Sequence, residues 1–169
     1  SDFKDGFSKT RKGEFEGMID NKGNIIAKAE FERVGKMSEG LVAVQKNKKY
    51  GYLNAKGKYV ISPKFSHARE FNRGLAVARI DSSRRVSLVK ASMSLFGLID
   101  TTGEWVVKPI YDYIIPSWAR GYYRGKLLTG GMVLMNEKGK PTIHDGDQIK
   151  KIGTNFGKDR KLARVYFQK

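Results

Sequence analysis

Apolar and polar residues alternate along this chain in short runs broken by turn-forming residues, and one such pattern recurs from end to end. Its clearest copy is Tyr50–Pro63, Tyr-Gly-Tyr-Leu-Asn-Ala-Lys-Gly-Lys-Tyr-Val-Ile-Ser-Pro. Tyr52 and Leu53 belong to one strand, Asn54 and Gly57 bracket a turn, and Tyr59 and Ile61 return as a second strand. Asn caps its own turn through its side chain, and Gly accepts the left-handed backbone that closes it. With Gly17, Gly51, Gly97 and Val133 as anchors, Asp20, Asn54, Asp100 and Asn136 stand three residues on, and Gly23, Gly57, Gly103 and Gly139 stand six residues on. Eight and ten residues on come Ile25 and Ala27, Tyr59 and Ile61, Trp105 and Val107, Pro141 and Ile143. That alternation turns one face of a strand inward, so the pattern predicts four β-hairpins.

A second motif precedes each anchor: an apolar residue, two others, then Gly. Its copies are Phe3 to Gly6, Met37 to Gly40, Phe71 to Gly74 and Trp118 to Gly121. Leu-Val-Ala-Val follows Gly40 and Leu-Ala-Val-Ala follows Gly74, both strong strand formers behind a turn. Each unit is therefore expected to hold three strands, with a crossover such as Lys64 to Arg73 leading to the next. The anchors lie 34, 46 and 36 residues apart, the middle interval being lengthened by an insertion between two strands. The predicted fold is all-β: tandem antiparallel three-stranded β-meander repeats in an open or arc-shaped stack, with a closed propeller-like arrangement as the alternative. The units span about 3–36, 37–70, 71–117 with the insertion at 81–95, and 118–147, followed by a basic C-terminal strand or tail over 148–169.

Charge adds a partner to this picture. The chain carries 33 Lys and Arg against 17 Asp and Glu, a formal charge of +16, beyond what the solubility of a small domain asks for. No acid stands between Glu39 and Glu70, a run that holds Lys46, Lys48, Lys49, Lys56, Lys58, Lys64 and Arg69. An acidic partner is expected. The absence of cysteine excludes disulfides, thiolate catalysis and Cys-ligated metals together. No apolar run approaches the roughly 18 residues of a membrane span. The chain opens on Ser1 without Met, consistent with a processed or excised product, one that has lost a leader for export to the cell envelope among them; compartment is not otherwise indicated.

Candidate chemistry is sparse. His67 and His144 fall in separate repeats, and His144-Asp145-Gly146-Asp147 is explained by a polar turn at the end of the fourth hairpin. Glu14 with Glu16, and Glu30 with Glu32, read as solvated acids beside a basic surface. No nucleophile elbow, Walker loop or dinucleotide fingerprint is present. No catalytic residue, metal ligand or cofactor is therefore nominated. The binding candidates are cationic: Lys46, Lys48 and Lys49 framing the second hairpin; Arg84, Arg85 and Lys90 in the insertion; and Arg120, Tyr123, Arg124 and Lys126 in Trp118-Ala-Arg-Gly-Tyr-Tyr-Arg-Gly-Lys. In that last segment Trp118 occupies the repeat's apolar-x-x-Gly position and Tyr122 the position of Leu41 and Leu75, which assigns both to the core. Tyr123 is then expected on the opposite, exposed face.

Gly51-Tyr-Leu-Asn-Ala-Lys-Gly-Lys-Tyr-Val-Ile-Ser-Pro-Lys-Phe65, followed by Phe71-Asn-Arg-Gly-Leu-Ala-Val-Ala78, resembles the bacterial WG-repeat family. The resemblance runs from Phe3 to about Ile143 and rests on several motifs in fixed order. The family's eponymous tryptophan is replaced by Glu16, Tyr50, Phe96 and Met132, and the glycine after it by Val133 in the last copy. The resemblance implies a non-catalytic all-β interaction module, common in bacterial proteins of the cell envelope and beyond, with no family-wide substrate. The expected function is accordingly binding of an acidic protein, as adaptor, envelope component or inhibitor. Binding of a polyanion, nucleic acid or anionic glycan, is the alternative, and an enzyme with an unrecognised site ranks third.

Overall fold

The computed structural model describes residues 6–82, 93–117, 121–127, 131–136 and 138–142. Every element is a β-strand, and the pairings between consecutive strands are antiparallel hairpins, as the repeat pattern requires. The first sheet is β1 (Phe7–Lys12), β2 (Phe15–Asp20) and β3 (Ile25–Phe31). The second is β4 (Arg33–Ser38), β5 (Leu41–Lys46), β6 (Lys49–Asn54) and β7 (Tyr59–Phe65). Next come β8 (His67–Ala68), β9 (Ala76–Ser82), β10 (Met93–Ile99) and the long β11 (Trp105–Pro116). The chain divides into two compact units, Ser1–Pro109 and Ile110–Lys169, and β11 begins in one and ends in the other.

The turns show why the repeat signature is so regular. Asn54 Oδ1 accepts the N–H groups of Lys56 and Lys58, both at 3.0 Å, while its carbonyl accepts the Gly57 N–H at 2.9 Å. Asp20, Asp100 and Asn136 make the same set of bonds at the other three hairpins. The closing glycines have φ of 84°, 73°, 87° and 71°, the left-handed region where a side chain is strained. Two-residue turns with positive φ at both positions join β4 to β5 (Glu39-Gly40) and β5 to β6 (Asn47-Lys48), the geometry that matches strand twist.

The anchor glycines answer a different need. A methyl group on Gly51 would run into the Ile61 carbonyl oxygen and the Pro63 nitrogen, because β7 bulges toward β6 opposite it. Gly17 and Gly97 are closed in the same way by Ala27 and by Val107 with the Trp105 ring.

Within the first unit the sheets pack face to face. Leu41, Val42, Ala43 and Val44 of β5 are all buried. Leu41 and Ala43 join Tyr52, Ile61, Phe65, Phe71, Ala76, Ala78 and Ile99 in one core, whereas Val42 and Val44 join Met18, Ala27, Phe31, Val34, Met37 and Leu53 in another. An uninterrupted apolar run is what a strand covered on both faces demands, and each fully buried valine contributes about 1.5–3 kcal/mol. Trp105 meets Phe65 edge to face at 5.5 Å, and the buried Tyr52 packs on Phe71 at 4.8 Å while donating its hydroxyl proton to the Arg69 carbonyl at 2.7 Å. Turns also reach the preceding repeat. The Gly57 turn lies on the Ile26 carbonyl, a methyl on Gly103 would stand 2.9 Å from Ile61, and Lys64 Nζ donates to the Gly103 carbonyl at 3.1 Å. The Glu39 carboxylate accepts the N–H groups of Arg73 and Gly74, joining one apolar-x-x-Gly turn to the next.

The structure adds a strand to the expected three. The segments read as crossovers contain β4 and β8, each an edge strand paired with the strand that follows. The repeat's last strand therefore leads straight into the next sheet. At the insertion, Ser82 pairs with Met93 and Asp81 with Ser94, so its described ends lengthen the β9–β10 ribbon.

In the second unit, the end of β11 pairs with β12 (Tyr123–Leu127), followed by β13 (Met132–Met135) and β14 (Pro141–Thr142). Here one assignment is corrected. Tyr123 is buried at 4% exposure and Tyr122 is only half-buried. Tyr123, Gly125 and Leu127 share the inward face because Gly125 makes room for the Tyr111 ring and Met135 Cε, at 2.6 and 2.9 Å from where a Cβ would stand.

Candidate binding cleft

The first unit contains a cleft of about 350 Å³ among the strands β1, β2, β4, β5, β6 and β8. Its bottom is made of small side chains, since Gly35, Ala43 and Ala68 meet there and Ala43 and Ala68 are buried. Tyr50 and His67 stand half-buried at its side, with ring centres 5.8 Å apart and edge to face. His67 meets Phe96 in the same manner at 6.1 Å, and the Arg79 guanidinium lies 5.7 Å over Phe96. Tyr50 and Phe96 occupy equivalent places in successive repeats, immediately before the anchor glycine. The third such place in this unit is Glu16, which also lines the cleft.

Charge at the cleft is lopsided. Lys9, Arg33, Lys36 and Arg69 line it against Glu16 and Glu70. Glu16 is already engaged: its carboxylate accepts the Val34 N–H at 2.6 Å and lies 3.2 Å from Arg11 and 3.9 Å from Lys9. Burial pushes the Glu16 carboxyl up, but the Val34 N–H, Arg11 and Lys9 outweigh it and hold the group below the usual carboxylate range. Burial lowers the His67 pKa, and Arg69 and Arg79 lower it further, so the ring is neutral at pH 7. Among the described residues no carboxylate pairs with Arg33, Lys36 or Arg69, and all three are exposed. Such cations keep their capacity for an incoming carboxylate, which Arg can hold through two parallel N–H bonds.

The residues nominated from sequence fare differently. Lys46, Lys48 and Lys49 do cluster at the β5–β6 turn, but Lys46 is paired with Glu30 at 3.0 Å and Lys49 with Asp81 at 3.9 Å. The Lys48 N–H is held by the Glu32 carboxylate at 3.1 Å. In the second unit Arg124 is exposed on β12, and Lys126 pairs with Asp112 at 3.4 Å beside the Tyr113 ring. Tyr123, being core, leaves the set of exposed candidates. Arg84, Arg85, Lys90 and Arg120 lie outside the described residues, as do Trp118, His144 and the 148–169 tail. Lys9, Arg33 and Lys36 were not singled out by sequence, and His67 was weighed only as chemistry and not as a binding residue. The available signal was positional: Arg33, Lys36 and Arg69 all precede an apolar-x-x-Gly turn, in segments that prove to hold strands or their ends.

Among the described residues no three His, Asp or Glu side chains converge to hold a metal ion, and no helix is long and apolar enough to cross a membrane. No curated protein matches the chain. The family described as WG containing repeat matches residues 17–50, 50–82 and 96–124, together more than half of the sequence. The first two matches run from an anchor hairpin through the following edge strand, β4 or β8, and its apolar-x-x-Gly turn toward the next, and the third runs from Phe96 along β10 and the long β11 to Arg124 on β12. The chain belongs to the WG containing repeat family.

Proposed function

We propose that this repeat module is a non-enzymatic binding protein that docks an acidic surface of a partner protein, in the manner of an adaptor, envelope component or inhibitor. The observation that carries this reading is the excess of positive charge at the cleft, where Arg33, Lys36 and Arg69 stand unpaired among the described residues beside two half-buried rings. The non-enzymatic part rests on the repeat family and on what its shared positions do: the Asx, Gly and apolar residues common to the repeats build turns and cores.

The net charge of +16 also suits a polyanion. Against that ligand stand the acids interleaved with the cations: Glu16 and Glu70 at the cleft, Glu30 at Lys46, Asp81 at Lys49 and Asp112 at Lys126. A uniformly negative strand meets repulsion at each.

The test is affinity capture on the immobilised chain, with duplex DNA, RNA and heparin titrated beside it at low and physiological salt. Retention of Asp- and Glu-rich proteins, with weaker binding of the three polyanions at equal salt, supports the reading. Heparin or nucleic acid binding more tightly than any protein, with a steep salt dependence, replaces it with the polyanion reading.

A further inference from the structure

We infer that the cleft bounded by Arg33, Lys36 and Arg69 is the recognition site, and that it takes a short extended acidic peptide segment with one aromatic side chain between its carboxylates. This rests on the proposed function and says where and how the partner is held.

Size comes first. A cleft of about 350 Å³ is at the lower end of small-ligand sites, room for a few side chains of one partner segment and too little for a duplex. Gly35, Ala43 and Ala68 line it with small side chains, which leaves the rings of Tyr50 and His67 as its largest apolar surfaces. Tyr50 and His67 present ring edges and faces beside it, and their own edge-to-face contact at 5.8 Å is the arrangement a third ring would extend. The cations are placed outside that apolar bottom: Arg33 and Lys36 on β4, and Arg69 directly after β8, come from edge strands of two successive sheets. In an extended peptide the residues two before and two after a central aromatic share its face, and carboxylates at those positions meet cations from both strands.

A position that lines this face at Glu16 and Tyr50 also differs between the repeats. The place before the anchor glycine holds Glu16, Tyr50 and Phe96 in the first unit, while the turn positions around it stay the same in kind. Glu16, engaged by Lys9, Arg11 and Val34, lines the cleft with Glu70, and the two acids disfavour a carboxylate beside them.

The experiment uses the full chain and fluorescence anisotropy at low salt. The probes are labelled Asp-Glu-Asp-Phe-Asp-Glu-Asp, its amide counterpart Asn-Gln-Asn-Phe-Asn-Gln-Asn, and the acidic peptide with Ser in place of Phe. The cleft variant is Arg33→Glu with Arg69→Glu, backed by the milder Arg33→Gln with Arg69→Gln; Lys56→Glu with Lys58→Glu carries the same charge change elsewhere. All four residues are exposed, and circular dichroism checks that each variant folds. The expected result is binding of the acidic Phe peptide, weakened about tenfold or more by the cleft variants and by the Phe to Ser change, with the Lys56 and Lys58 variant within about twofold of wild type. Equal binding by the cleft variants, with loss instead on Lys46→Glu and Lys48→Glu, overturns the cleft assignment and leaves the acidic-partner reading standing. Equal binding of the amide peptide, or of none, overturns both.

Discussion

Gly57 lies against the main-chain carbonyl of Ile26 so closely that a methyl group has no place between them, whereas Gly23, in the same turn of the first repeat, has nothing within 4 Å. The two glycines share the left-handed backbone, with φ of 73° and 84°, but only Gly57 also forms a joint between sheets. Gly23→Ala is expected to cost about 1–2 kcal/mol, the strain of placing a side chain at positive φ. Gly57→Ala adds overpacking of about 1–3 kcal/mol. Urea unfolding of the two variants checks this, and equal losses would mean that the turn does not bear on the neighbouring sheet.

Tyr52 spans the core to reach the Arg69 carbonyl, which places the backbone of a cleft residue. Tyr52→Phe keeps the ring against Phe71 and removes only the hydroxyl, so a loss of about 0.5–1.5 kcal/mol is expected. Binding of the acidic peptide should weaken as well, because the Arg69 carbonyl loses one of the two bonds that fix this backbone, the other being the Arg69 N–H to the Val77 carbonyl; a variant with unchanged affinity would separate the core from the cleft.

His67 supplies a pH dependence with a definite sign. Its pKa in the folded chain is below the ordinary 6.5, so between those two values the unfolded chain binds the proton more readily. Its stabilisation is present above pH 6.5 and is lost as pH falls below that value toward the folded pKa. The melting temperature should decline across that window in the wild type and less in His67→Gln. Asp20 and Asp100, lowered first by side-chain hydrogen bonds from Asn24 and Thr102, act only at more acid pH, below their ordinary 3.8. A wild-type curve flat down to pH 5 would sink the His67 contribution.

The corrected tyrosines make a paired test. Tyr123→Ala opens a cavity in the second unit and is expected to cost about 3–5 kcal/mol, while the exposed Arg124→Ala stays within about 0.5 kcal/mol. Thermal unfolding of both decides whether Tyr123 is a core residue or a surface one.

Tyr123 also shows what the sequence could and could not reveal. The four hairpin turns were legible because their chemistry is local: an Asx side chain bonds two N–H groups within four residues, and a glycine closes the turn. The inward face of β12 was not. Matching Tyr122 to Leu41 assumed that a core position in one strand is a core position in the next. In β5, however, both Leu41 and Val42 are buried, in different cores, so that position does not say which side faces in. Where one face alone is covered, Gly125 under Tyr111 settles it. The cleft was hidden for another reason. Lys9, Arg33 and Arg69 are far apart in the chain and meet only through stacking of sheets, and the stretches that carry Arg33 and Arg69 read as connectors until their edge strands are seen.

Three joints between repeats in the first unit seat a later turn on an earlier repeat. The Gly57 turn rests on Ile26, the Gly103 turn rests on Ile61, and the Arg73-Gly74 turn is held by Glu39. In each case the later hairpin leans on an earlier one. A ribosome releasing this polypeptide at about 5–20 residues per second would therefore present every new hairpin to a platform already outside the exit tunnel. Hairpin pairing can follow the order of synthesis, while core contacts such as Tyr52 with Phe71 and Arg69 close once the next repeat has emerged.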